Sequence, residues 1–165
     1  MPQAILSKSN SKSINIDRNK YICIICEELM MRIMAVDYGK KRVGVAITDP
    51  LGTISLPLST IAPKSDSDLI ERLKCIIDEN EVGLVIVGNP LSLKGAPTEM
   101  SNTVERFVKK MKRRIDVEVV LWDERYISQL AVNRFKDLGI SSKKEDIDRV
   151  AAAIILDEYL ESKRV

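Results

Sequence analysis

From Arg32 onward, apolar runs separated by turn residues divide the chain into alternating strands and helices. The runs 33–36, 43–48 and 53–60 are rich in β-branched residues and are joined by short links. This pattern predicts an antiparallel meander of three strands. Pro57 cannot donate a ladder hydrogen bond, so we expect the third strand at an edge of the sheet.

Helical spacing of apolar residues begins after the third strand. Residues 65–68 resemble a capping box, and apolar positions over 69–77 repeat with a helical period. Cys75 falls on this stripe, so we expect it in the core. The later elements are a strand over 82–87, a helix over 100–111, a strand over 117–122, a helix over 127–138 stopped by Gly139, and a helix from about Asp146 to Glu161.

The resulting order, βββαβαβαα, defines the fold class. Three antiparallel strands that lead into two parallel βα units predict an α/β protein with the ribonuclease H-like fold. Its sheet is expected to be five-stranded and mixed, with three antiparallel strands, then two parallel ones, flanked by helices. The first 30 residues differ, since 7–13 are polar and of low complexity. We expect 1–30 to be a disordered extension or a mis-assigned start, and 31–165 to be the folded domain.

Composition limits the possible chemistry. The chain has 165 residues, enough for one domain with a substantial core. No apolar run approaches the length of a membrane span, so we expect a cytoplasmic protein without membrane contact. There is no histidine, which excludes Ser-His and Cys-His nucleophile pairs and imidazole metal ligands. Oxygen ligands and hard cations therefore remain as the chemistry available to a catalytic site.

Acidic residues stand where apolar elements begin or end. Asp37 follows the first strand, Asp123 and Glu124 follow the fifth, and Asp148 lies in the first part of the alanine-rich last helix. Strand alternation lets only one of Asp123 and Glu124 face such a site. Asp37 could instead cap a turn beside Gly39, and Asp148 could complement the helix dipole. Convergence of three carboxylates would require a cation, and it predicts a Mg²⁺-dependent site.

Four ordered motifs carry a family resemblance. They are VDYGKKRVGVA at 36–46, VGNPL at 87–91, WDER at 122–125 and IDRVAA at 147–152. Over residues 31–162 the chain resembles the YqgF family of pre-16S rRNA nucleases, also described as Holliday junction resolvase-like. The resemblance implies a ribonuclease H-like nuclease domain, maturation of the 5′ end of pre-16S rRNA in the cytoplasm, and metal-dependent phosphodiester hydrolysis.

The family's acidic residues carry over to Asp37, Glu124 and Asp148, which we expect to be catalytic and to bind two Mg²⁺ or Mn²⁺ ions. Asp123 is expected to support this group or to form a salt bridge, and Arg125 to hold a carboxylate or a phosphate. Basic residues near the motifs are expected to contact nucleic acid: Lys40, Lys41, Arg42, Lys143 and Lys144.

Other features fit the resemblance less closely. Asn89 stands where the family usually has leucine, and Trp122 is read as a core residue rather than a base-stacking one. Basic residues over 109–114 could contact phosphates or could simply be a solvated helix end.

The expected partner is RNA, specifically pre-16S rRNA, or structured DNA, with ribosomal particles as a further candidate. Two alternatives stay open for the same fold: a DNA endonuclease that resolves four-way junctions, and an RNA-binding module without hydrolytic activity. An actin- or hexokinase-type ATPase also begins with D-x-G before a hairpin. The chain is too short for the two domains of that class, which excludes it.

Overall fold

The computed structural model describes residues 31–124 and 144–164, with side chains in the second range described from Ile147 onward. The elements, in chain order, are β1 (Arg32–Tyr38), β2 (Val43–Thr48), β3 (Ser55–Ile61), α1 (Asp66–Asn80), β4 (Val82–Asn89), α2 (Glu99–Met111), β5 (Glu118–Asp123) and α3 (Lys144–Lys163). The predicted extension over 1–30 and the predicted helix over 127–138 lie outside the described residues.

The five strands form one mixed sheet in the order β3-β2-β1-β4-β5. Strand β2 pairs antiparallel with both β1 and β3, whereas β4 pairs parallel with both β1 and β5. This confirms the predicted arrangement and the position of β3, which carries Pro57, at the edge. Strand β1 continues beyond the predicted end at Val36, because Asp37 pairs with Gly44 and Tyr38 with Val43.

Alternating residues of the strands build two cores, one on each face of the sheet. Helices α1 and α2 cover the face that carries Met34 and Val36. Helix α3 covers the opposite face, where Ala35, Ala46 and Ile86 contact its buried side chains. The α3 alanines Ala152 and Ala153 are fully buried, which lets the helix lie close to the sheet.

The two helices of the first face begin with side-chain caps. Ser65 accepts a hydrogen bond from the Asp68 amide at α1, and Thr98 and Ser101 form a reciprocal capping box at α2. The expectation for Cys75 was wrong, because the buried stripe of α1 consists of Leu69, Ile70, Leu73 and Ile77 and leaves the thiol exposed. In the described ranges, no helix has both the length and the apolar composition needed to cross a membrane.

Candidate active site

Strand register brings the predicted acidic positions to one edge of the sheet. Asp37, the sixth residue of β1, pairs with Gly44 of β2. On its other side, Val36 pairs with Val87 of β4, and Asn89 at the end of β4 pairs with Asp123 of β5. The carboxyl ends of the three parallel strands therefore lie side by side, which is where open α/β sheets bind ligands.

Alternation along each strand decides which acidic side chains share a face. In β1, Ala35 lies on the α3 face and Val36 on the opposite face, so the next residue, Asp37, points toward α3. In β5, Trp122 packs on the α3 face, and Glu124, two residues later, has its carboxylate over Gly88 beside Ile155 of α3. The structure thus brings Glu124, rather than Asp123, to the side occupied by Asp37 and Asp148.

Two strand glycines on either side of Asp37 make room for the other acidic residues. A Cβ at Gly44 would overlap the backbone carbonyl of Asp148, and one at Gly88 would overlap Oε1 of Glu124 and lie 2.7 Å from Cδ1 of Ile155. Glycine is required at these positions for close approach rather than for backbone freedom. This role was not predicted from the sequence, although an isolated glycine inside a β-rich run was the available signal.

Arg42 holds Asp148 beside the sheet. Its Nε donates a 2.5 Å hydrogen bond to Oδ2 of Asp148, and the two side chains are 36% and 22% exposed. The pair joins the hairpin between β1 and β2 to the first turns of α3. Arg42 was predicted to contact nucleic acid, and its guanidinium has this carboxylate as a partner within the protein.

Burial and mutual repulsion change the acidity of the carboxylates. Burial raises the pKa of Asp37 from 3.8 to about 6, and the negative charge of Asp148 adds to the effect. Burial also raises the pKa of Glu124 from 4.5 to about 7, with further contributions from Asp37 and Asp123. Asp37 is thus coupled electrostatically to both Asp148 and Glu124, and Glu124 also to Asp123.

The donor chemistry of this group fits a divalent cation. Carboxylate oxygens are the ligands that Mg²⁺ and Mn²⁺ prefer, and a cation would offset the burial and repulsion that raise the two pKa values. In this structure, however, the three carboxylates do not approach one another closely enough to share a metal ion. Within 31–124 and 144–164, no three acidic, cysteine or histidine side chains are arranged closely enough to hold a metal ion.

The remaining predicted contacts lie around this edge or outside the described residues. Lys40 is in the loop after β1, with its Nζ 3.7 Å from Oε1 of Glu99, and Lys41 is exposed. Asp123 ends β5, directly before Glu124. The other predicted contacts, Arg125, Lys143 and the Lys144 side chain, lie outside what the structure describes.

Trp122 and Asn89 also lie near this edge, and they differ in the contacts that their side chains make. Trp122 stacks edge-on against Tyr159 of α3, with 5.2 Å between ring centroids, which agrees with its interpretation as a core residue. Asn89 is buried, and none of the residues that the structure describes donates a hydrogen bond to its side-chain oxygen Oδ1. This buried amide lies at the same end of the sheet as Asp123, its partner in the ladder between β4 and β5.

Known proteins are similar to this chain in sequence or in fold. A protein of Thermoanaerobacter pseudethanolicus named "Putative pre-16S rRNA nuclease" is 41% identical, over 81% of this chain and 99% of its own length. A protein of the same name from Geobacillus kaustophilus is 39% identical, over 81% of this chain and all of its own length.

Among solved structures, Thermus thermophilus RuvC in complex with a Holliday junction substrate superposes with a TM-score of 0.56 at 13% identity. The match covers 81% of this chain and 96% of that one, and it confirms the ribonuclease H-like fold. The family profile described as RuvX, Holliday junction resolvase, matches residues 31–162. This span contains all four motifs and the three converging acidic residues, and the chain belongs to the RuvX family.

Proposed function

We propose that this protein is a metal-dependent nuclease that hydrolyses phosphodiester bonds at the 5′ end of pre-16S rRNA. The observation that carries the proposal is the convergence of Asp37, Glu124 and Asp148 at one sheet edge in a chain without histidine. The names of the curated relatives support the nuclease activity and the rRNA substrate. The likeness to the RuvC fold supports the arrangement of strands that brings these acidic residues together.

The three carboxylates, drawn closer together by the cations than they lie in this structure, would hold Mg²⁺ or Mn²⁺ as two ions. When bound, the ions supply Lewis-acid stabilisation of the developing charge and lower the pKa of the attacking water. Asp37 and Glu124 would supply buried negative charge to retain them, and Arg42 would keep the Asp148 carboxylate near the same edge. No histidine base is needed for this chemistry.

The reaction consumes one water molecule for each bond cleaved. A water oxygen forms the new bond to phosphorus, and the bond between phosphorus and the leaving oxygen breaks. One proton of the water goes to the bulk through the site, and the leaving oxygen takes up a proton to become a hydroxyl. Lys40 and Lys41, in the loop after β1, would contact phosphates of the bound strand.

Cleavage of a four-way DNA junction is the second candidate function. The description of the matching family and the junction-bound RuvC neighbour favour it, and the hydrolytic chemistry would be the same. A non-hydrolytic RNA-binding module is the third. In that case Asn89, which stands where the family usually has leucine, would belong to a site that binds RNA without cleaving it.

A cleavage assay separates the three candidates. Wild-type protein is incubated with pre-16S rRNA, single-stranded RNA and a four-way DNA junction, each with Mg²⁺, with Mn²⁺ or with EDTA. Asp37→Asn should abolish cleavage, whereas Asp78→Asn, at an exposed carboxylate of α1, is the matched control and should not. Cleavage of the junction alone would favour the resolvase, and absence of metal-dependent cleavage of every substrate would refute the nuclease proposal.

A further inference from the structure

A basic cleft lies where the start of α1 meets the end of α2. It has a volume of about 340 Å³ and is lined by Asp66, Ser67, Ile70, Lys110, Arg113 and Arg114. Ile70, the apolar residue of the lining, is almost fully buried, while the three basic side chains are exposed. We use the name basic cleft for these six residues.

The basic cleft is connected to the edge that carries the acidic residues. The Tyr38 hydroxyl donates a 3.0 Å hydrogen bond to Oδ1 of Asp66, and Lys110 Nζ donates a 2.6 Å bond to Oδ2 of the same carboxylate. Tyr38 directly follows Asp37, and its ring packs against Phe107 of α2, on the face opposite α3. The cleft and the acidic residues therefore share one end of β1 but lie on opposite faces of the sheet.

The cleft has more positive charge than its internal contacts require. Hydrogen bonding to Lys110 is the main factor that lowers the pKa of Asp66, so this carboxylate is negative and already paired. Across the two described ranges, no carboxylate forms an ion pair with Arg113 or Arg114, nor with the neighbouring Lys109 and Lys112. A purely structural role for the cleft accounts for Lys110 but not for the two arginines.

We propose that the basic cleft binds the phosphodiester backbone of the substrate strand away from the bond that is cleaved. This inference rests on the proposed function, because it assumes a nucleic-acid substrate. Paired arginines suit phosphate, since each guanidinium can donate two parallel hydrogen bonds to its oxygens. The six lining residues include no aromatic side chain, so the cleft offers no platform for stacking a base. Contact with the backbone, independent of sequence, is the recognition that these groups support.

The test measures binding without cleavage. The double variant Arg113→Gln and Arg114→Gln is compared with Lys74→Gln and Lys163→Gln, which removes two positive charges from the exposed side of α1 and the end of α3. Fluorescence anisotropy in EDTA follows a labelled single-stranded RNA of about 40 nucleotides and a DNA of the same sequence, over a range of salt concentrations. Each variant is first checked for an unchanged melting temperature.

Loss of two phosphate contacts should weaken binding about 10-fold near 0.1 M salt and reduce the slope of log K against log salt by about 1.4. We expect this loss for both RNA and DNA with the arginine variant, and not with the lysine control. Equal losses in the two variants, or none in the arginine variant, would overturn the proposal, as would a loss confined to one nucleic acid. Wild-type protein that binds neither strand would overturn the cleft and the proposed function together. If the arginine variant alone loses binding but the wild-type protein cleaves no substrate, the role of the basic cleft in binding is supported and the proposed hydrolysis is refuted.

Discussion

Arg42 and Asp148 form an ion pair across 106 residues, with Nε of the guanidinium 2.5 Å from Oδ2 of the carboxylate. Asp148 sits near the start of the last helix, and without a partner the repulsion from Asp37 would favour its displacement toward solvent. Arg42 offsets that repulsion by binding Oδ2 of Asp148. The second carboxylate oxygen, Oδ1, would be the one to bind a metal ion. Arg42 is therefore placed to act as a positioning residue for the proposed metal site.

Replacement of Arg42 should weaken metal binding more than it destabilises the fold. For Arg42→Gln we expect the Mg²⁺ concentration at half-maximal cleavage to rise about 10-fold, as for other residues that orient metal ligands. Arg42→Lys should recover part of this loss, because it restores the charge without the planar geometry. If the variants instead raise only the KM for RNA, at unchanged kcat and Mg²⁺ dependence, Arg42 acts as the phosphate contact that the sequence suggested.

Stability without metal should fall as the pH rises. The pKa values of Asp37 and Glu124 lie at about 6 and about 7 in the folded protein, above 3.8 and 4.5. Between these limits the folded state holds protons that the unfolded chain has released, so the free energy of unfolding decreases with pH. The contribution is fully present below about pH 4 and is lost as the pH rises through 6 and 7.

Asp37→Asn tests this linkage, because the amide cannot ionise. In EDTA at pH 8 we expect the variant to be more stable than wild type by about 3 kcal/mol, from the size of the pKa shift. The advantage should shrink toward pH 4, where the wild-type carboxyl is protonated. Thermal unfolding from pH 4 to 8 measures the difference, with Asp78→Asn as the exposed control. A constant difference over this range would show that the Asp37 carboxyl does not titrate as its burial indicates.

The sequence was sufficient for the order of the elements and for the acidic positions at their ends, because both depend on local patterns, whereas the choice of Glu124 over Asp123 came from the family resemblance. Alternation along β5 and the position of Asp148 beside the α3 alanines can be read from neighbouring residues. The Arg42 ion pair could not be predicted in this way, since it depends on how α3 lies across β2. The roles of Gly44 and Gly88 were missed for the same reason, because what a glycine makes room for belongs to another element.

Divalent cations should stabilise the wild-type protein most where its carboxylates are ionised. At pH 8 and a Mg²⁺ or Mn²⁺ concentration 100 times the Kd, binding to the folded state adds about 2.7 kcal/mol. That corresponds to a rise in Tm of roughly 5–10 °C for a chain of this size. Glu124→Gln should lose most of the rise, whereas Glu79→Gln, at an exposed position of α1, should keep it. Equal rises in wild type and Glu124→Gln would place the bound cation elsewhere.

Gly44→Ala and Gly88→Ala should impair the site by steric overlap. The added methyl group would meet the Asp148 backbone at position 44, and the Glu124 carboxylate and Ile155 at position 88. Backbone cannot move aside without shifting α3, so Gly44→Ala should destabilise the protein by about 1–3 kcal/mol. Gly88→Ala meets a side-chain carboxylate, so we expect a smaller loss of stability but at least a 10-fold loss of cleavage.

Gly83→Ala is the matched control for both variants. It lies in β4, like Gly88, but at the opposite end of the strand, and its added methyl group would meet the side chain of Met31. Met31 is 49% exposed and precedes β1, so its sulfur can rotate away, but its Cβ, 2.7 Å from the added methyl group, has to shift. We therefore expect a small loss of stability and cleavage near that of wild type. Thermal unfolding and the cleavage rate at saturating Mg²⁺ measure the two effects separately. Wild-type cleavage by Gly88→Ala would mean that the Glu124 carboxylate does not need the space over position 88 in the active protein, which would remove the main geometric support for its place beside Asp37.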